Sequence, residues 1–403
     1  MANALPIEIV DAILELVYYS NGEPDKVTLK SCAVISRAWT ASAQRLLFRS
    51  VALRGVHHGR EHTSFCEATN PSTEHGRALG EHVRIMEVYI GEKSGHDLDD
   101  SDLADLLGRT PRLYELILRV TGVHQFLYGT MERLAQLAAG HSTPSMSTSE
   151  EVEPLRIRAL TLLSCGIQSP VLYQLLEVWP SIQFLYLGFE LAAPPPKWTP
   201  AFHLYELSLV RTPRLSVLQW LLSSSSDSVQ ILSFRDSPGR DVDPLLREIG
   251  PRLRSLRLMD CTRRSAILPY CPNLEEFATV QLPGHLKLEN LPPTLEHLSY
   301  KRLYADTQLL ECVIDVLDTL PRLRALTCAS QATADERFGE LQRLCNSRGV
   351  RIILDEMPVW VMGARIVCIE GTAEQCFLQR EDPVPVVRFP RRKKSMSNFA
   401  LMN

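Results

Sequence analysis

The sequence predicts an α/β chain in two parts: a short all-helical module at the N-terminus, then a long solenoid of strand–turn–helix repeats. Parallel strands are expected on the concave face of the solenoid and helices on its convex face. Three observations lead there. The chain's 403 residues exceed one ordinary compact core. A single short apolar phrase recurs ten times after residue 80. The first fifty residues space their apolar positions for helices rather than strands.

In the N-terminal module, Pro6 suits a first helical turn, where its missing N–H is not needed. Ile9, Ile13, Leu16 and Val17 recur at helical spacing up to the Ser20-Asn21-Gly22 breaker. A second helix is expected over Val27 to Val34 and a third from about Ser36 to Phe48, with Trp39, Ala43, Leu46 and Leu47 as apolar contacts. Three such short helices cannot bury enough surface to be comfortably stable alone, so a partner surface is expected.

The residues Leu5-Pro6, Glu8-Ile9, Ile13-Leu14, Leu29, Cys32-Ala33, Ser36 to Trp39 and Leu47-Phe48 resemble the F-box. That module binds the Skp-type adaptor of cullin-based ubiquitin ligases. The loop from Tyr18 to Thr28 is longer than is usual there, and Cys32 and Phe48 stand where leucine and tryptophan are more typical. The resemblance implies a module over 1–54 that needs no cofactor and does no bond chemistry. It would anchor to the adaptor, and through it to a cullin, by Leu5, Pro6, Ile9, Ile13, Val34 and Trp39. For any one of these, packing inside the module's own core is an equal alternative, although Leu5 and Pro6 lie at an end and favour the interface.

The recurring phrase is apolar, two variable residues, apolar, one variable, apolar. Its copies start at Val83, Leu113, Ile157, Ile182, Leu204, Val229, Leu253, Leu274, Leu295 and Leu323. Most of the intervals lie within the roughly 20 to 29 residues of leucine-rich repeats, which the pattern resembles. Proline two positions before six of the copies (Pro111, Pro180, Pro251, Pro272, Pro293, Pro321) ends a helix and biases its neighbour toward extended geometry. The segments between copies, such as PVLYQLLEVW and DVDPLLREIG, have helical spacing. Cys165 and Cys261 hold a turn position that the family often fills with Asn or Cys.

The array is expected over 83–354, closed by a strand from Val350. Residues 55–82 read as a linker, about 138–154 as a Ser/Thr/Pro/Glu-rich insertion, and 355–403 as an extension with a basic tail at Arg391 to Lys394.

Within the phrase, strand alternation turns the apolar positions inward and the variable ones out along the concave face. Ile117, Leu163, Phe184, Tyr186, Val210, Ile231, Arg235, Arg257, Met259 and Lys301 are therefore the expected contacts to a partner protein. The first six and Met259 would form an exposed apolar strip of the kind that marks protein contacts. The later charges would add selectivity.

A net charge of −4 gives no clustered basic surface for phosphate, so nucleic acid is not an expected partner. Glu8, Asp11 and Glu15 interrupt the first apolar stretch, which does not read as a secretory signal. No apolar run approaches the roughly eighteen residues of a membrane span. Ten cysteines without a C-x-x-C pair suit reduced thiols in the cytoplasm or nucleus. His57, His58, His62 and Cys66 are read as linker rather than metal ligands, and no nucleophile elbow, phosphate loop or dinucleotide motif is present. The expectation is a non-enzymatic substrate receptor of a ubiquitin ligase. A repeat scaffold outside ubiquitination, with the helices as its cap, is the alternative.

Overall fold

The computed structural model describes residues 5–18, 25–53, 59–91, 98–140, 153–236, 238–260, 267–282, 290–303 and 309–354. The insertion core at 141–152 and the extension at 355–403 lie outside them.

Three helices open the chain: α1 (Ile7–Tyr18), α2 (Lys26–Ala33) and α3 (Arg37–Arg49). On α1, Val10, Leu14 and Tyr18 share one face and meet Leu29 and Cys32 of α2 and Ala43 and Leu46 of α3 in a small core of their own. Asp25 caps α2 by accepting from the Thr28 backbone N–H at 3.0 Å. The hydrogen bonds from the Thr28 backbone and then its hydroxyl hold the Asp25 carboxyl below its ordinary value. Thr40 Oγ1 donates to the Ala33 carbonyl at 2.8 Å, pinning the turn between α2 and α3. Arg45 reaches Glu15 at 3.2 Å, tying α3 to α1.

The rest is one parallel sheet. Its strands are β1 (Ser50–Leu53), β2 (Ile85–Ile90), β3 (Glu115–Val120), β4 (Ala159–Ser164), β5 (Phe184–Leu187) and β6 (Glu206–Leu209). They continue as β7 (Ile231–Phe234), β8 (Ser255–Asp260), β9 (Glu276–Leu282), β10 (His297–Leu303), β11 (Ala325–Cys328) and β12 (Arg351–Leu354). Each strand lies beside the next in chain order, from β1 to β12. A sheet in strict sequential order, with every neighbour parallel, is a solenoid of leucine-rich-repeat type.

Helices α4 (Gly59–Ala68), α5 (Glu74–His82), α6 (Asp100–Gly108), α7 (Tyr128–Ala139) and α8 (Val171–Val178) fall between the early strands. The later ones are α9 (Leu215–Leu222), α10 (Asp243–Ile249), α11 (Leu309–Leu317) and α12 (Phe338–Ser347). Gly349, with φ of +70°, gives the left-handed turn that ends α12 and releases the chain into β12.

The register stacks equivalent apolar residues: Leu116, Leu160, Leu185, Leu207, Leu232, Leu256, Phe277, Leu298 and Leu326 form one row across the sheet. They join helix residues such as Leu103, Leu134, Leu172, Leu218 and Leu246 in one continuous core that runs from Leu53 to Val350.

Two expectations need correction. Residues 55–82 are not a bare linker, because α4 and α5 occupy most of them, and Phe65 and Leu79 are buried. The sheet also begins inside the N-terminal module: β1 follows α3 without a break and pairs with β2 through Ser50 and Ile85. Phe48 and Val51 accordingly pack on the array core, so α3 serves both bodies.

Candidate interaction surfaces

On α1 the apolar residues form two stripes. Val10, Leu14 and Tyr18 face the module's core, while Ile9, Ile13 and Leu16 lie on a second helical stripe open to solvent. The turn after α2 adds Val34 and Ile35, and Val27 stands exposed near the start of that helix. Of twelve exposed large apolar residues among the described ones, eight fall between Leu5 and Ile35. They are not scattered singly, as surface apolar residues ordinarily are.

Leu5, Pro6, Ile9, Ile13 and Val34, expected as anchors, are all exposed, Val34 at 84%. The Pro6 carbonyl accepts from the Ile9 and Val10 N–H groups at 3.0 and 3.2 Å, which fixes the first turn beside Leu5. Trp39 differs: it is half-buried and packs on the module's own core. Leu16, at 74% exposure, and Val27 were not singled out as surface residues from sequence. Their position only becomes evident once the buried stripe is known.

On the sheet, strand alternation holds. Ile117, Phe184 and Ile231 are absent from the continuous core that their sequence neighbours join, and so occupy the opposite face. That face is not the open apolar strip expected, however. Ile117 is 5% exposed, Phe184 4%, Ile231 7% and Arg257 9%. Leu163, Tyr186, Val210 and Arg235 are half-buried. The side chains of Met259 and Lys301 lie outside the described residues.

The cause is lateral. Strands about 4.8 Å apart bring each side chain against its equivalents on both neighbours, and the register sets small beside large. Phe184 lies between Ala159 and Glu206, Ile231 between Glu206 and Ser255, and Ile117 between Glu87 and Thr161. Thr161, Ser208, Ser233 and Ser255 also interrupt any continuous apolar strip. Phe184 further packs on Tyr205, with ring centroids 5.7 Å apart.

A buried polar network occupies the later strands. Arg257 Nε donates to Glu276 Oε1 at 3.1 Å, and its Nη1 lies 3.7 Å from Glu206. Burial works against the Arg257 charge, but Glu276 and Glu206 outweigh it and leave the guanidinium above its ordinary value. Beside Glu276 in the register stands His297, whose Nε2 lies 2.8 Å from Thr327 Oγ1. Burial pushes the His297 imidazole below its ordinary value against the pull of Glu276, and Arg257 and Arg351 push the same way as burial. These residues hold one another, and the network reads as a satisfied ion pair that fixes the sheet surface.

His62 Nε2 and Cys66 Sγ approach to 3.4 Å on one turn of α4. Among the described residues no group of three or more metal-ligating side chains exists. Nor is any helix among them long and apolar enough to cross a membrane.

These features define a repeat solenoid with a helical head that leaves apolar surface uncovered. No family model and no curated protein matches the chain. Among solved structures, a Bacteroides fragilis protein is similar over 75% of this chain and 85% of its own, with 13% identity and a TM-score of 0.38. A Toll-like receptor solved as the TLR13–ssRNA13 complex is similar over 71% of this chain, with 15% identity and a TM-score of 0.32. This chain spans 40% of that receptor chain's length. The assignment of the solenoid rests on its own strand order.

Proposed function

We propose that the protein is a non-catalytic substrate receptor. In this reading the helical head docks on a Skp-type adaptor and so on a cullin, and the repeat array holds a partner protein for ubiquitination. The carrying observation is the second apolar stripe of α1 with Val27, Val34 and Ile35, a surface left exposed among the described residues beside a module core made from different residues. Each such residue could contribute roughly 1.5–3 kcal/mol when buried against a partner, before ordering costs. The F-box resemblance of the same stretch supplies the partner's class. The receptor's contribution would be proximity: two tethered proteins share a high effective concentration. No neutral or basic bias favours nucleic acid as the partner, with a net charge of −4.

A second reading is favoured by one observation, the continuity of α3 with β1 and its packing on α5. There the helices only cap the solenoid of an interaction scaffold. Affinity purification of the intact chain and of a Leu16→Asp, Val34→Asp variant separates the two. The receptor reading expects adaptor and cullin with the intact chain and neither with the variant. Adaptor absent from both, or present equally in both, leaves the scaffold.

A further inference from the structure

The sheet ends differently at its two edges. At the first, α3 runs into β1, and Lys26 Nζ of α2 donates to the Ser50 carbonyl at 3.3 Å, so the head stands against that edge. At the last, β12 pairs with β11 from Arg351 and Ala325 to Leu354 and Cys328, and among the described residues no strand lies beyond it. The Arg351 N–H donates to the Arg324 carbonyl at 2.9 Å, toward β11. Successive residues of a parallel strand turn their backbone groups to opposite sides, so the N–H groups of Ile352 and Leu354 point away from β11, to the open edge.

The side chains show the same difference. Leu187, Leu209, Phe234 and Leu258 hold the last core-facing position of their strands and are buried, as is Cys328 of β11. Leu354, opposite Cys328 in the register, is 43% exposed, and Ile352 is half-buried. An unpaired edge beside an uncovered apolar residue is a template for a further strand, and repeat arrays need their ends capped. Residues 355–403 follow Leu354 directly and lie outside the described residues, so the chain itself meets this edge at a high effective concentration.

Beyond Leu354 the sequence reads DEMPVWVMG. Val359, Trp360 and Val361 are of the β-branched and aromatic types that suit strands, and Gly363 breaks the run. We propose that the segment Val359 to Met362 lies antiparallel on the outer edge of β12 and closes the array. Asp355 to Pro358 is then a four-residue hairpin loop, a common length, and Pro358 falls where a missing N–H costs no ladder bond. That loop length sets Val359 opposite Leu354 and Val361 opposite Ile352. Residues directly opposite share a face, so the two valines cover Leu354 and Ile352 on the core side, while Trp360 meets Ile353 on the other. The outward N–H and carbonyl groups of Ile352 and Leu354 pair with those of Val361 and Val359. An edge paired in this way no longer offers a template to another chain.

The test is hydrogen exchange of the full chain, read at single amides. The proposal expects the Ile352 and Leu354 N–H groups to exchange about a hundredfold more slowly than an unstructured amide. That protection should fall about tenfold in Val361→Pro, which removes one ladder donor. Arg351 and Ile353, whose N–H groups face β11, should keep their protection in the variant and show that it folds. A second variant, Val359→Asp with Val361→Asp, sets charge against Leu354 and Ile352 and should release the same two amides. Free exchange of Ile352 and Leu354 in the unaltered chain overturns the proposal, as does protection that both variants leave unchanged. Protection that rises with protein concentration assigns the edge to a second copy of the chain and overturns it equally.

Discussion

In the head, α1 carries two apolar stripes and buries one. In the array, α8 buries Val171, Leu172, Tyr173, Leu175 and Leu176, leaving no large apolar residue of that helix exposed. Both helices are short and rich in aliphatic residues, and what separates them is position. A repeat helix has a repeat on either side to cover it, whereas the head lies at one end of the stack and meets it through α3 and the Lys26 Nζ of α2, which donates to the Ser50 carbonyl at 3.3 Å. An apolar residue is buried by its neighbours, and among the described residues none covers Ile9, Ile13, Leu16, Val27 or Val34 on the outer side of the head.

The contrast can be broken or sharpened by substitution. The largest effect is expected from Phe277→Ala, at the fully buried centre of the array core. About 3–5 kcal/mol should be lost in urea unfolding, with the sheet melting as a unit. Leu14→Ala in the head core should cost roughly 2–3 kcal/mol, because a smaller module collapses more readily around the cavity. Hydrogen exchange should then rise in α1 and α2 while β5 to β9 keep their protection. Uniform loss of protection from either substitution would mean that head and array unfold together.

A smaller effect belongs to pH. His297 has a folded pKa below its ordinary value of 6.5, with burial the first cause. The unfolded chain therefore binds the proton more readily. The contribution of the neutral imidazole is complete above about 6.5 and is lost as pH falls from there toward the folded value. Between pH 7.5 and 5.5 the wild type should lose more stability than His297→Gln, whose side chain does not titrate. Equal losses would remove His297 as the source.

Much of the array was legible because its repetition multiplies a small signal. Each of the ten phrases starts two residues before a strand: Val83 before Ile85 of β2, Leu113 before Glu115 of β3, and so on to Leu323 before Ala325 of β11. The helical spacing in PVLYQLLEVW and DVDPLLREIG likewise fell on α8 and α10. Three things were not legible. Strand β1, Ser50–Leu53, is as short as β5 to β7 but stands outside the ten phrases, directly after α3, and is paired to β2 through register. Helix α4 reads GREHTSFCEA, a mostly polar stretch that gives no apolar period. The burial of Ile117, Phe184, Ile231 and Arg257 is set by side chains on adjacent strands about 20 or more residues away, which alternation within one strand does not reveal.

For Ile9, Ile13, Val34 and Trp39, sequence left core and interface equally open, while the terminal position of Leu5 and Pro6 favoured the interface. Leu5, Pro6, Ile9, Ile13 and Val34 turned outward and Trp39 turned toward the module core. The deciding fact was which stripe of α1 meets α2 and α3, a matter of tertiary packing.

The exposed stripe should matter little for folding and greatly for binding. Leu16→Asp with Val34→Asp should shift unfolding by no more than about 0.5 kcal/mol per site, since neither side chain packs on the core. Purified Skp-type adaptor titrated calorimetrically into the full chain at several temperatures asks the question most directly. The expected result is saturable one-to-one binding with a negative heat-capacity change, the mark of apolar burial, abolished in the doubly substituted chain. No binding to the unaltered chain, or undiminished binding to the substituted one, would contradict a head built to be covered by an adaptor.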